Sequence, residues 1–194
     1  MRKNLRRAAW AIALILGIFV LVGLNLWTRK REHRYDQRIL ASARRYQVDP
    51  ALIKAVIWRE SGFKADARGT REEIGLMQVR EDAALEWAEA EHLTNFIHTD
   101  IFDPAKNINA GTFYLGKLLK RYRNVDNPLP YALADYNAGR THVLRWKRGE
   151  ADTNAVAFLK RMDYPRTRSY ALAIMDRFAL YQSEFKQMVD AEKP

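Results

Sequence analysis

The segment ALIKAVIWRESGF, residues 51–63, combines an apolar helical pattern with an acid at its end. Its apolar residues recur at helical spacing, and Glu60 falls on the same stripe. Asp49 followed by Pro50 is typical of a helix N-cap and first helical residue, and Gly62 is typical of a helix C-terminus. The sequence therefore predicts a helix that carries a carboxyl group on its apolar face, in its last turn.

The position of Glu60 favours a protonated carboxyl group. Apolar surroundings disfavour a negative charge, and so does the C-terminal end of a helix dipole. Both effects raise a carboxyl pKa toward neutrality, where a general acid is effective. The alternative is an exposed structural glutamate that merely ends the helix, since glutamate is rarely fully buried. Position alone favours the structural interpretation.

Four short motifs follow one another along the chain, beginning at Glu60. They are ESGF (60–63), GLMQV (75–79), ADYNAG (134–139) and YPRTRSY (164–170). Together they resemble the soluble lytic transglycosylase-like domain, a lysozyme-related family that cleaves bacterial peptidoglycan. The resemblance extends from about Tyr35 to Phe185. It implies an all-α, lysozyme-like catalytic domain, which we place at residues 37–186.

The resemblance also implies a role for Glu60 as acid and then base. It would protonate the glycosidic oxygen between N-acetylmuramic acid and N-acetylglucosamine, and then accept the proton of the sugar 6-hydroxyl as a 1,6-anhydro ring forms. No water is consumed, so no second carboxylate is required, unlike the usual two-carboxylate scheme. The substrate-binding residues implied by the motifs are Ser61, Gln78, Tyr136, Asn137 and Tyr170.

Most of these binding residues also have a structural interpretation. The Ser61 hydroxyl can cap the helix end instead of contacting sugar, and Asn137 can hold the turn that follows it. The Gln78 amide can bind an N-acetyl or hydroxyl group, and Tyr136 can stack on or hydrogen-bond to sugar. Tyr170 matches a terminal-helix tyrosine that faces the acid in the family. The aromatic residues expected in the core are Phe63, Tyr114 and Trp146.

Four positions depart from the family pattern. Arg166 stands where many members have glutamate, and Glu73 stands where a small residue usually precedes the glycine motif. Asp135 replaces the usual apolar or small residue before the conserved tyrosine position. The usual Met-Pro pair after GLMQ is absent, because Val79 leads into Arg80. These departures concern the subsites around the acid.

The first 34 residues hold most of the net charge of +10. They contain eight of the 33 basic residues and one of the 23 acids, so they carry +7 and the remaining 160 residues carry +3. No charged residue occurs from Trp10 to Trp27, and a helix of this length covers roughly 27 Å. The pattern disfavours a nucleic-acid surface. It predicts a cytoplasmic tail at 1–9, a transmembrane helix at 10–27 and a linker at 28–36.

A cleaved signal peptide is the main alternative to a transmembrane helix. The basic start fits one, but no small-x-small cleavage motif precedes the basic run at 29–31. Basic clusters at both ends disfavour a buried soluble helix. Because the sequence has no cysteine, neither a cysteine-linked lipid nor a disulfide is expected.

The two flanks of the predicted transmembrane helix are similarly basic, so the orientation is inferred from the implied substrate. The domain is predicted to face the periplasm or cell wall from the bacterial cytoplasmic (inner) membrane.

The remaining soluble segments are predicted to be helical or connecting. The expected elements are an amphipathic stretch at 34–47, a loop at 63–74, a helix from Gln78 to Ala90 with Leu85 and Trp87 in the core, a long helix from Pro104, helices at 131–137 and 167–186, and a flexible tail at 187–194. Gly111 in the long helix predicts close packing against another helix. The alternative is that the helix tolerates this glycine at a cost of about 1 kcal/mol.

The sequence leaves two other functions open. A lysozyme-like hydrolase would need a second carboxylate, for which Asp66, Glu73 and Asp135 are candidates. A non-catalytic peptidoglycan-binding module is suggested by Arg166 and the altered loop.

The four histidines show no ligand spacing, so no metal or other cofactor is expected. The expected partners are glycan strands and the membrane.

Overall fold

The protein folds as a set of α-helices. The computed structural model describes residues 2–191, without the side chains of residues 2–9, 11–13 and 189–191. Within this range β pairing is limited to two isolated antiparallel bridges, Arg68 with Ile74 and Ile74 with Val79. The all-α prediction is therefore confirmed. The chain divides into two compact units, Met1–Tyr35 and Asp36–Pro194.

The first unit consists of helix α1, Arg2–His33. The α-helices of the second unit are α2 (Asp36–Tyr46), α3 (Pro50–Ser61), α4 (Glu81–Ala90), α5 (Pro104–Arg121), α6 (Leu129–Ala138), α7 (Arg140–Trp146), α8 (Ala155–Arg161) and α9 (Pro165–Ala191). Short 3₁₀ segments cover His98–Phe102 and Gly149–Asp152. The predicted tail at 187–194 is helical through Ala191, and residues 192–194 lie outside the described structure.

Helix α1 covers the predicted membrane segment 10–27. Among the residues described, no helix combines the length and the apolar character needed to cross a membrane. Part of the predicted segment, residues 11–13, lies outside the described side chains. The described side chains from Leu14 to Trp27 are exposed. The transmembrane prediction is therefore not confirmed.

Helix α3 has the ends that the sequence predicts. The Asp49 carboxylate accepts a hydrogen bond from the Ala51 N–H at 2.9 Å, which satisfies a free donor of the first turn. Gly62 adopts a left-handed conformation (φ 55°, ψ 38°), and its N–H donates to the Trp58 carbonyl at 3.1 Å. Glu60 consequently lies in the last turn of a helix whose preceding residues, 51–57, are buried.

Helix α9 packs against both α3 and α6. It begins at Pro165 rather than at the predicted Thr167, because proline suits the first turn of a helix. In the N-terminal half of α3, the fully buried Lys54 forms an ion pair with Asp36 of α2 at 2.9 Å. The Lys54 ammonium also lies 4.9 Å from the ring centre of Tyr181 of α9. This buried cation joins α2, α3 and α9.

Helix α5 begins where the sequence predicts and presents Gly111 to a loop. Its N-cap, Asp103, accepts hydrogen bonds from two backbone N–H groups of the first turn at 2.9 Å. A Cβ atom at Gly111 would lie 2.5 Å from the Met77 sulfur and 2.7 Å from the Met77 Cβ. Gly111 is therefore closely packed, but its partner is the 75–79 loop and not a second helix, which corrects the prediction of close helix packing.

The helix predicted to start at Gln78 starts instead at Glu81. Gln78 has a φ of +46°, and its N–H donates to the Gly75 carbonyl in a turn. A left-handed residue cannot continue a right-handed helix, which explains the correction. Within α4, Trp87 is buried as predicted, whereas Leu85 is 45% exposed and does not belong to the core.

Replacing Gly111 with alanine tests the contact with Met77. Helix propensity alone favours alanine by about 1 kcal/mol, whereas overpacking costs about 1–3 kcal/mol. Because the Met77 Cβ cannot move away without its backbone, we expect Gly111→Ala to lower the free energy of unfolding in chemical denaturation. In a Met77→Gly background, which lacks both the sulfur and the Cβ that a Gly111 side chain would meet, the same change should become favourable. An increase in stability from Gly111→Ala in the wild-type protein would contradict the described contact.

Candidate active site

A cavity of about 390 Å³ opens beside Glu60. Its walls come from the 69–80 loop, the start of α4, the middle of α5 and the end of α6. The side chains that line it include those of Glu60, Arg71, Glu73, Gln78, Arg80 and Tyr136. The volume is in the range typical of small-ligand sites. The motifs at 60–63, 75–79 and 134–139 thus each contribute to one cleft.

Tyr170 fixes one oxygen of the Glu60 carboxyl group. Its hydroxyl donates to Glu60 Oε1 at 2.6 Å across 110 residues of chain. Tyr170 lies on α9 and is only 3% exposed, whereas Glu60 is partly exposed at the cavity. The Arg59 guanidinium lies over the Tyr170 ring, 5.5 Å from its centre. The packing of α9 on α3 thereby orients the acid.

Burial raises the pKa of the Glu60 carboxyl from its ordinary value of 4.5 to about 7. The hydrogen bond from Tyr170 and the charge of Arg59 lower this pKa, whereas the negative charge of Glu73 raises it further. The desolvation effect is the largest, so the net shift has the direction expected from the sequence. Near neutral pH, Glu60 can therefore both donate and accept a proton.

The cleft loop folds back on itself through backbone hydrogen bonds. Gly69 N–H donates to the Glu73 carbonyl, and Gly75 N–H donates to the Ala67 carbonyl, both at 2.8 Å. The Glu73 carboxylate accepts the Arg71 N–H, also at 2.8 Å. These contacts place Glu73 and Arg71 on the cavity wall.

Asn107 of α5 holds the other side of this loop and was missed by the sequence reasoning. Its Oδ1 accepts the Met77 N–H at 2.8 Å, and its Nδ2 donates to the carbonyls of Ile74 (2.8 Å) and Ile101 (3.0 Å). Its side chain is buried. Asn107 precedes Gly111 by four residues and so shares its helix face. An asparagine one helical turn before a glycine, on the apolar face of a long helix, is the sequence signal that could have identified Asn107.

Tyr136 bridges the cavity and the loop. Its hydroxyl donates to the Met77 carbonyl at 2.8 Å, and its ring centre lies 5.6 Å from that of Tyr114. Burial, followed by the charge of Glu60, raises the Tyr136 pKa well above its ordinary value, so it remains a neutral donor. Tyr114 was predicted to be core, but it lines the cavity. The predicted core residues Phe63 and Trp146 are buried.

Gln78 lines the cavity with its amide partly engaged. Its Nε2 donates to the carbonyls of Gly75 (2.9 Å) and Ala67 (3.2 Å). These bonds use both amide protons and leave Oε1 as the atom suited to accept a hydrogen bond from a ligand. Its sugar-binding role stays a prediction.

Ser61, in contrast, lies outside the cavity lining. Its hydroxyl donates to the Leu76 carbonyl at 2.8 Å, with the Ile57 carbonyl at 3.2 Å. Asn137 is exposed at the cavity, and its Oδ1 accepts the Thr167 hydroxyl at 2.9 Å. The structural interpretation of Ser61 thus has a defined partner, since it ties the end of α3 to the loop.

The departures from the family pattern occupy different environments. Asp135 is 2% exposed and accepts hydrogen bonds from the Arg121 guanidinium at 2.7 Å and the Tyr122 hydroxyl at 2.6 Å. It is therefore the anionic half of an ion pair that joins α5 to α6. Arg166 is exposed and does not line the cavity. Asp66, one of the candidate second carboxylates for hydrolysis, is also exposed and outside the cavity lining. Among the described residues, no group of three or more potential metal ligands occurs.

Comparison with known proteins identifies the family of this chain. The sequence profile of the family described as Transglycosylase SLT domain matches residues 37–158. This chain belongs to that family. It is 36% identical over 143 residues to membrane-bound lytic murein transglycosylase C of Salmonella typhimurium, covering 67% of this chain and 39% of that protein. The Klebsiella pneumoniae protein of the same name is 36% identical over 122 residues, covering 60% and 34% respectively. The chain thus spans well under half of these relatives.

Solved structures show the same fold. An inactive glutamate-to-glutamine mutant of lytic transglycosylase Slt from Pseudomonas aeruginosa superposes with a TM-score of 0.72 at 21% identity, covering 79% of this chain and 25% of that one. The 70-kDa soluble lytic transglycosylase in complex with bulgecin A gives a TM-score of 0.72 at 23% identity, covering 83% and 26%. The SLT domain of this chain therefore has the fold of these proteins.

The raised pKa of Glu60 predicts a pH-dependent effect of Glu60→Gln on stability. The unfolded chain ionises Glu60 near pH 4.5, whereas the folded protein does so near 7. Wild type therefore loses stability relative to Glu60→Gln as pH rises from 4.5 to 7, by at most about 3 kcal/mol. Below pH 4.5 the difference should be constant, and above 7 it should level off.

Denaturant unfolding at several pH values measures this difference. Glu89→Gln, at an exposed position of α4, provides the matched control and should show no comparable pH dependence. Parallel stability curves for wild type and Glu60→Gln between pH 4.5 and 7 would contradict the raised pKa.

Proposed function

We propose that this chain is a lytic transglycosylase that cleaves the β-1,4 bond between N-acetylmuramic acid and N-acetylglucosamine in peptidoglycan. The observation that carries the proposal is the Glu60 carboxyl group, whose pKa is raised to about 7 by partial burial, at the wall of a cavity lined by the family motifs. Membership of the SLT family and the names of the relatives support the substrate.

In the proposed reaction Glu60 transfers one proton in each direction. Protonated Glu60 donates to the glycosidic oxygen as the C–O bond breaks, and the carboxylate then removes the proton of the 6-hydroxyl as that oxygen bonds to the anomeric carbon. A 1,6-anhydro ring forms and no water is used. Since Tyr170 holds Oε1, Oε2 is the oxygen that exchanges the proton. A pKa close to neutral suits both steps.

The surrounding residues support this chemistry by position. We assign Gln78 Oε1, Asn137 and the ring of Tyr136 to sugar binding, since all three side chains line the cavity. Tyr170 acts on Glu60 rather than on the sugar, because its hydroxyl donates a hydrogen bond to the Glu60 carboxyl group. Ser61 acts as the link between α3 and the loop.

Hydrolysis is the second candidate, and Glu73 is the observation that favours it. Glu73 lines the same cavity as Glu60 and acts on its charge, so it is placed to activate a water molecule. Asp135 is less suited because Arg121 and Tyr122 already engage it. A non-catalytic binding module would leave the shifted pKa of Glu60 without a use.

Digestion of purified peptidoglycan with wild type and Glu60→Gln tests the proposal. The substitution keeps an acceptor for Tyr170 but removes the proton donor, so we expect turnover to fall at least about a thousandfold. Mass spectrometry of the wild-type products should show anhydro-muramoyl ends. Reducing ends, lost in Glu73→Gln, would instead establish hydrolysis, and wild-type turnover by a folded Glu60→Gln would refute the role of Glu60.

We also propose that α1 attaches the domain to the cytoplasmic membrane, with residues 1–9 inside and the domain in the periplasm or cell wall. The uncharged segment 10–27 lies between basic clusters, and the described side chains from Leu14 to Trp27 are exposed. Large exposed apolar surfaces require a covering phase or partner. The relatives that are named membrane-bound are consistent with attachment.

Fractionation and a C-terminal alkaline phosphatase fusion test this attachment. The full chain should remain in the membrane fraction, and the phosphatase, which is active only outside the cytoplasm, should be active. Leu16→Arg combined with Leu21→Arg should release the protein, because charges at the centre of a span are strongly unfavourable. Recovery of the wild-type chain in the soluble fraction, or an inactive fusion beside an active cytoplasmic reporter, would contradict the proposed topology.

A further inference from the structure

The charged side chains of the cavity differ in how far the protein already engages them. The acids on the cavity wall are engaged by the protein: Glu60 has Tyr170, Glu73 has the Arg71 N–H, Asp135 has Arg121, and Asp82 has an exposed ion pair with Arg80. Their negative charges are thus partly compensated within the fold.

The two arginines on the wall, Arg71 and Arg80, are engaged much less. The Arg71 guanidinium has no hydrogen bond or ion pair with any residue of the described structure. Arg80 has one exposed ion pair, in which its Nε lies 3.6 Å from Asp82 Oδ1, too long for a hydrogen bond. Such an exposed pair contributes little. The cavity therefore offers two guanidinium groups whose donors are unused.

Arginine is suited to planar anions. Its guanidinium presents five N–H donors in a fixed fork that matches a carboxylate, and it remains charged at any physiological pH. A ligand that supplied a carboxylate to this wall would satisfy those donors without displacing any hydrogen bond of the protein.

The sugar chain of peptidoglycan does not itself supply that charge. The only carboxyl group of the two sugars is on the lactyl group of N-acetylmuramic acid, and it is neutral when it forms the amide bond to the peptide stem. The negative charges therefore belong to the carboxylates of the stem. Arg80 also stands where the family pattern has an uncharged residue. Glycan cleavage in the family therefore does not require an arginine at this position. A carboxylate-bearing stem is the part of the substrate that these two arginines fit.

We propose that Arg71 and Arg80 form a carboxylate-binding subsite that makes this chain prefer glycan strands whose peptide stems carry free carboxylates. This inference rests on the proposed function, because it names the substituent recognised at the same cleft. Arg71 and Arg80 act on substrate binding and leave proton transfer by Glu60 unchanged.

The test compares two substrates that differ at their carboxyl groups, one charged and one neutral. Peptidoglycan is used either directly or after carbodiimide coupling to methylamine, which converts its carboxylates to neutral amides and keeps every peptide. With full-length wild type in detergent, we expect kcat/KM to be roughly tenfold higher for the free-carboxylate form, mainly through KM. The preference should shrink at high salt, since both arginines are exposed.

The variants assign the preference to the subsite. Arg71→Gln combined with Arg80→Gln should bring the ratio of the two substrates close to one, because kcat/KM for the free-carboxylate substrate should fall more than kcat/KM for the amidated substrate. The matched control, Arg123→Gln, is exposed and outside the cavity lining, and it should keep the wild-type ratio. A wild-type ratio near one, or an unchanged ratio in the double variant, would overturn the proposal.

A binding measurement separates this proposal from the enzymatic one. Calorimetry with a soluble stem-bearing muropeptide and its methylamide form reports the subsite in Glu60→Gln, where no cleavage is expected. Tighter binding of the free-carboxylate form, lost in the arginine variants, supports the subsite even if wild type shows no turnover. Equal binding of the two forms refutes the subsite even if the glycan is cleaved.

Discussion

The hydrogen bond from the Tyr170 hydroxyl to Glu60 Oε1, at 2.6 Å, joins the two helices on which the site depends. It stabilises the charged carboxylate and therefore opposes the effect of burial on the pKa. Burial prevails, and the carboxyl remains near its midpoint at neutral pH while one of its oxygens is fixed. The packing of α9 on α3 thus sets both the direction and the protonation of the acid.

The opposite wall of the cleft depends on a second set of contacts, centred on Asn107. This buried amide binds three backbone groups of the segment between Ile74 and Ile101, including the N–H of Met77. The carbonyl of the same Met77 accepts the hydroxyl of Tyr136. Met77 is therefore held from α5 and from α6, and the loop that carries Glu73 and Gln78 keeps its place beside Glu60.

Much of the fold and part of the site could be predicted from sequence, because they follow from local patterns. The ends of α3 are capped by Asp49 and Gly62, and capping depends on residues within one turn. The start of α4 was misplaced because the left-handed conformation of Gln78 depends on its contacts within the loop, which helix periodicity does not report.

The contacts that the sequence did not predict connect distant segments. Asn107 acts across about 30 residues, and Asp135 is explained by Arg121 on a neighbouring helix. An aspartate that departs from the family pattern therefore has a structural partner. Tyr114 was assigned to the core because aromatic spacing along a helix does not show which face meets a cleft.

Direct titration of the Glu60 carboxyl group tests the central claim most closely. With ¹³C-labelled glutamate side chains, the resonance missing from Glu60→Gln identifies Glu60, and its chemical shift can be followed with pH. We predict a midpoint near 7 in the wild-type protein and a lower midpoint in Glu73→Gln, because the charge of Glu73 raises the pKa of Glu60. A midpoint at the ordinary value of 4.5 would contradict it, because Glu60 would then be ionised at neutral pH and unable to act as the proton donor.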